Sequence, residues 1–79
     1  MGNNRPVKTK CWVKFLEAHK CKYLRTKASH DLYKCPNCFR TITHREKDKE
    51  IPALHLQSNL KTMGYDLQYL YNWIKENKC

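Results

Sequence analysis

Cys21-Lys-Tyr-Leu-Arg-Thr-Lys-Ala-Ser-His-Asp-Leu-Tyr-Lys-Cys-Pro-Asn-Cys-Phe-Arg-Thr-Ile-Thr-His44 is the stretch that decides the fold. It contains short runs rich in β-branched and aromatic residues, separated by turn chemistry. Residues 21–26 suit a first strand, Lys27-Ala28 a turn, and residues 29–34 a second strand. Cys35-Pro-Asn37 is a turn by composition, because proline fixes φ and asparagine tolerates the left-handed region. Residues 38–44 complete a third strand. Three strands joined by such short turns form an antiparallel meander. Alternation puts His30, Leu32 and Lys34 on one face of the second strand, and Cys38, Arg40, Ile42 and His44 on one face of the third. Leu32 and Ile42 are the expected core contacts. The opposite face carries Ser29, Asp31, Tyr33, Phe39, Thr41 and Thr43. It reads as solvated, with Tyr33 and Phe39 free to pack on a partner protein or stack on unpaired bases.

Helices flank this meander. Before it, Thr9 is a candidate N-cap, and Trp12, Phe15, Leu16 and His19 recur at i, i+3, i+4 and i+7 on one helical face. After a mixed-charge loop at residues 45–50, Pro52 opens a helix whose apolar stripe is Ala53, Leu56, Leu60 and Met63. Gly64 is a natural stop. Asp66 caps a last helix with Leu67, Leu70, Tyr71 and Ile74 facing inward. His19 and His55 read as helix-surface or boundary residues. The expected architecture is α+β: one helix, a three-stranded antiparallel meander, then one long or two short helices. That order is close to the double-stranded-RNA-binding-domain-like topology. Residues 1–8 read as a flexible basic tail and residues 9–79 as a single domain.

Composition narrows the function. With 79 residues there is room for one modest core. No apolar run approaches the roughly 18 residues of a membrane span. The N-terminus has no apolar signal-sequence core, which predicts a cytoplasmic location. The net charge is +9, from 16 Lys/Arg against 7 Asp/Glu, and all of the excess lies in residues 1–49. A basic front with a neutral C-terminal third predicts one cationic face, and nucleic acid is the leading partner. A solvated lysine-rich surface is the plainer alternative.

Two segments sharpen this. Lys27-Ala-Ser-His30 runs into Asp-Leu-Tyr, and Arg40-Thr-Ile-Thr-His44 is followed by Lys49-Glu-Ile-Pro52 and the helix Leu56-Gln-Ser-Asn-Leu-Lys-Thr-Met-Gly64. Over about residues 9–75 the chain resembles the HicA family of bacterial toxins, small mRNA interferases neutralised by a HicB-type antitoxin protein. The resemblance implies metal-independent endoribonuclease activity on mRNA, with no cofactor. The family's Gly-Ser-His segment, whose histidine is needed for cleavage, corresponds to Ala28-Ser29-His30. Ala28 stands where the family has glycine, so a turn with φ > 0 there would carry a steric cost. Asp31 stands where a second histidine is common.

The residues suit that chemistry. RNA is cut without metal when a base removes the 2′-OH proton, a cation stabilises the phosphoryl oxygens and an acid protonates the leaving 5′ oxygen. Histidine serves as base or acid near neutral pH. His30 is the candidate catalytic residue, with Lys27 and Lys34 for charge stabilisation or phosphate docking. Ser29, Arg25, Arg40 and Arg45 are candidate RNA contacts. His44 is a possible second acid or base or phosphate contact, and equally fits a strand-end surface histidine. Taken alone, His30 also fits a half-buried strand histidine bonded to backbone, and Asp31 a solvated strand residue. A non-catalytic RNA-binding module is the alternative function.

The five cysteines, Cys11, Cys21, Cys35, Cys38 and Cys79, are odd in number. Without a secretion signal they predict free thiols and not a disulfide framework. Cys79 is then the thiol best placed for adventitious dimerisation. Cys35-Pro-Asn-Cys38 has the C-x₂-C spacing of a zinc knuckle, with His30 and His44 on either side. In a regular hairpin those histidines sit about 13–20 Å from the turn along the strands. A zinc-stabilised adaptor is therefore the least favoured reading.

Overall fold

In the computed structural model, residues 5–36, 38–45 and 47–79 are described. The chain runs β1 (Val7–Lys8), α1 (Thr9–Ala18), β2 (Lys22–Lys27), β3 (His30–Lys34), β4 (Ile42–Arg45), β5 (Glu50–Ile51), α2 (Ala53–Met63) and α3 (Leu67–Glu76). It is an α+β fold with a three-stranded antiparallel sheet ordered β2-β3-β4, and two helices follow the sheet. A second, two-stranded sheet pairs Val7 with Ile51 and Lys8 with Glu50. Residues 5–8 are thus part of the fold and not tail, because Val7 and Ile51 are both buried. Tyr71 helps to hold this segment. Its hydroxyl donates to the Arg5 carbonyl at 2.7 Å and accepts from the Arg5 amide at 2.9 Å. The expected tail at residues 1–4, the turn residue Asn37 and Glu46 of the charged loop lie outside the described residues.

Local signals set the helices. Trp12, Phe15 and Leu16 of α1 are buried, as their spacing requires. Lys8 occupies the cap position, and the Thr9 hydroxyl instead donates to the Asp48 carbonyl. α2 ends on Gly64 at φ 89. The Asp66 carboxylate caps α3 by accepting from the Tyr69 amide at 2.9 Å. His19 closes α1 and bridges to α3, with Nδ1 2.8 Å from the Phe15 carbonyl and Nε2 2.8 Å from the Tyr69 hydroxyl. Trp73, off the α3 stripe, packs edge-on against Phe15 at 5.4 Å.

Two further expectations are overturned. The first concerns the sheet faces. Tyr33 pairs with Ile42 and Asp31 with His44, and Tyr33, Ile42 and His44 are all buried. Leu32 pairs with Thr43 on the other face and is only partly covered. The core-facing side of β3 is therefore Asp31 and Tyr33, not Leu32. Residues directly opposite each other share a face, so Ile42 draws Tyr33 inward.

The second concerns the cysteines. Cys11–Cys79 and Cys21–Cys35 are disulfide bonds, and Cys38 is free. The fold brings together pairs that lie 68 and 14 residues apart in the chain. Cys79 is not an exposed thiol, and Cys35 does not offer a thiolate beside Cys38. Among the described residues no three His, Cys, Asp or Glu side chains converge to hold a metal ion.

Candidate functional site

The site begins at the β2–β3 turn. Lys27 and His30 are opposite each other, so the turn is the two residues Ala28 and Ser29, one later than the composition predicts. Both have positive φ, 52° and 66°. This is what a two-residue hairpin turn of type I′ needs, since its twist matches that of the strands. Ala28 thus occupies a left-handed position where glycine carries no steric cost. The Ala28 carbonyl lies 3.0 Å from His30 Nδ1. A carbonyl only accepts, so neutral His30 carries its proton on Nδ1 and leaves the Nε2 lone pair open.

Register then builds a row across the outer face. His30 faces Lys27 on one side and Arg45 on the other, and Leu32 faces Arg25 across a bulge between Tyr23 and Arg25. Cα atoms of such pairs are about 5 Å apart. Arg25, Lys27 and Arg45 therefore share the face of His30, and Asp31 does not. Ser29 is exposed at the turn tip. Lys34 shares the face but pairs with Lys22 at the far end of β3, about 13 Å from His30 along the strand. Its ammonium donates to the Cys38 carbonyl. Lys34 is thus not beside His30. Arg40 lies in the bend after Cys38, beyond the strand assigned to it.

Asp31 does not lie free in solvent. It accepts from the Thr26 hydroxyl, and its other oxygen is 3.4 Å from His44 Nε2. The Tyr23 hydroxyl is 2.7 Å from Thr26 Oγ1. Thr26 has one proton and gives it to Asp31, so Tyr23 is the donor. His44 is buried and stacked on Tyr33 at 5.5 Å. Burial pushes its imidazole below the ordinary histidine value, with the nearby His30 adding to the fall and Asp31 opposing it. Among the described residues its buried Nδ1 has no hydrogen-bond partner. His44 is placed as a neutral inward group, not as a strand-end surface histidine.

The outer edge of β4 is met by α2. Its Asn59 side chain donates to the Thr43 carbonyl at 2.8 Å and accepts from the Thr43 amide at 3.5 Å. An amide side chain here satisfies the open edge of β4 as a neighbouring strand would. This docking lays α2 beside β4 and opens a groove of about 190 Å³ lined by His30, Thr43, His44, Arg45, His55, Ser58 and Asn59. His55, read from sequence as a helix-surface residue, shares the groove with His30 and Arg45. Its helical position off the apolar stripe was legible, but nothing local showed what it would face.

The groove therefore holds His30 with a fixed tautomer, Arg45, the exposed His55 and, behind them, the buried His44. Such a set can move protons next to a bound phosphate. No family model, curated protein or solved structure matches the chain.

Proposed function

We propose that this chain is a metal-independent endoribonuclease of the HicA type, a toxin that cuts mRNA and is neutralised by a HicB-type antitoxin. The observation that carries the reading is the row Lys27–His30–Arg45, with His30 Nδ1 anchored on the turn that precedes it. The helix, three-stranded sheet and two following helices fit a double-stranded-RNA-binding-domain-like layout, with the basic outer face toward RNA.

In this mechanism His30 Nε2 takes the proton of the 2′-OH. The 2′ oxygen attacks the adjacent phosphorus and the P–O5′ bond breaks. Arg45 and Lys27 offset the charge that builds on the phosphoryl oxygens. His55, protonated, gives its proton to the leaving 5′ oxygen. The products are a 2′,3′-cyclic phosphate and a 5′-hydroxyl end. One positioned histidine contributes roughly 10²–10⁴-fold.

The test is cleavage of single-stranded RNA in the presence of EDTA. Wild-type protein is expected to cut and leave cyclic phosphate ends, and His30→Ala to lose about 10²–10⁴-fold. Expression is expected to arrest growth, and co-expression of the antitoxin to restore it. Equal cleavage by His30→Ala, or loss of cutting on chelation, would sink the mechanism. Salt-dependent RNA binding without any cleavage would instead identify a non-catalytic RNA-binding module.

A further inference from the structure

Phe39 is fully exposed, at 100% of its accessible surface. Solvent alone gives no reason for a large aromatic there, and the segment that carries it is held on two sides. The Lys34 ammonium donates to the Cys38 carbonyl, and the Cys38 thiol donates to the Thr62 carbonyl of α2 at 3.7 Å. The bend is thereby pinned between β3 and α2, with Phe39 turned outward. Beside it is an open groove of about 470 Å³ lined by Phe39, Arg40, Ser58, Lys61 and Thr62. Among the described residues the lining offers one aromatic ring, two cations and two hydroxyls, and no carboxylate. That is the chemistry of single-stranded nucleic-acid sites, in which a ring stacks on any base and cations follow the backbone.

This groove continues into the first. Ser58 lines both. His55, Ser58 and Thr62 lie at i, i+3 and i+7 of α2, so one exposed helical face joins the two. At ~1.5 Å rise per residue, His55 to Thr62 spans about 10 Å, the scale of one to two nucleotide steps.

We propose that Phe39, Arg40 and Lys61 form a binding subsite for an unpaired nucleotide of the RNA. The base stacks on Phe39, and Arg40 and Lys61 hold its phosphate. The subsite lies one to two nucleotides from the bond cut at His30, and it selects single strands, because a paired base has no free face to offer. The proposal rests on the RNA-cleaving reading above and names the substrate class for that site.

The experiment compares Phe39→Ala, Phe39→Trp and the double variant Arg40→Gln/Lys61→Gln on a single-stranded octanucleotide and on a dinucleotide too short to span both grooves. Phe39→Ala is expected to lower kcat/KM on the octanucleotide about tenfold or more. Most of that loss should fall in KM and be at least several times larger than the loss on the dinucleotide. Phe39→Trp should restore it. Phe39 touches no core, so folding is not at stake. Binding is read separately in the His30→Ala background by quenching of a 2-aminopurine base in the octanucleotide, which Phe39→Ala should abolish. Equal losses on both substrates, or quenching that survives Phe39→Ala, overturns the subsite. Wild-type RNA affinity in Phe39→Ala together with lost neutralisation by the antitoxin also overturns it, and marks Phe39 as a protein contact. If the wild type cuts no RNA but Phe39-dependent quenching persists, the subsite stands and the cleavage reading fails.

Discussion

Removing the Cys11–Cys79 bond tests what holds the two ends of the chain together. This disulfide ties α1 to the residue that follows the last turn of α3, across 68 residues. In the chain-entropy treatment, a cross-link closing a loop of that length contributes about 4 kcal/mol, against about 3 kcal/mol for the 14-residue loop of Cys21–Cys35. The loops are nested, so the pair contributes less than the sum. Small domains hold only about 5–15 kcal/mol in total, and one of this size belongs near the lower end. The double variant Cys11→Ala/Cys79→Ala should therefore lose about 4 kcal/mol. At roughly 4–8 °C per kcal/mol, its Tm should fall by about 15 °C or more. Circular dichroism during heating, with Trp12 and Trp73 fluorescence in urea, measures both quantities. Adding reductant to the wild type breaks Cys21–Cys35 as well, so it should lower Tm at least as far. A Tm within about 5 °C of wild type would refute the reasoning, because packing of α1 on α3 would then suffice without the covalent tie. The same measurement bears on where the protein works. Reducing compartments keep thiols apart, so a chain that unfolds on reduction is poorly suited to a toxin of the cytoplasm. One that stays folded is free of that conflict.

Three further outcomes are expected. Ala28→Gly relieves a left-handed alanine and should stabilise the protein by about 1 kcal/mol in urea unfolding while keeping cleavage; a loss of stability would show that φ > 0 at Ala28 carries no strain. His55→Ala should slow cleavage of RNA about 10²-fold or more, yet have little effect on a uridine 3′-aryl phosphate, whose leaving group needs no proton. His30→Ala should impair both, and equal impairment of both by His55→Ala would remove His55 as the acid. His44 is held below its unfolded value of about 6.5 by burial, so its contribution is complete above that pH and is lost as pH falls toward the folded value. Stability should decline from pH 7 to 5, and the decline should shrink in His44→Gln; an unchanged slope would assign it to other groups.

How much of this could be read in the sequence follows from the range of each signal. The α1 stripe, the Gly64 stop and the Asp66 cap depend on neighbours within one helical turn, and they stand as read. The meander was legible from its own residues, although its first turn moved by one residue and its third strand, read from residue 38, begins at Ile42. The faces of β3 were not. His-Asp-Leu-Tyr-Lys has one apolar residue on each side, so alternation alone cannot choose between Leu32 and Tyr33. The choice is made across strands, where Tyr33 meets Ile42 and where Thr26 and His44 give Asp31 the partners it needs to face inward.

That inversion matters most for the site. A core-facing His30 would have shared its side with buried aliphatics. Turned outward, it is flanked by Lys27 and Arg45 and screened from Asp31 by the sheet itself. A base that must approach a polyanion gains from cations beside it and loses from a carboxylate, since like charge repels the phosphate. The one acid of the hairpin is accordingly bound by Thr26 and His44 on the opposite face. His55 lines the groove from α2, which Asn59 ties to the β4 edge, a contact between residues 16 apart that no local pattern announces. The strand that carries His30 was therefore visible from its own residues, whereas the residues around His30 are set by register and by one helix docking on one edge.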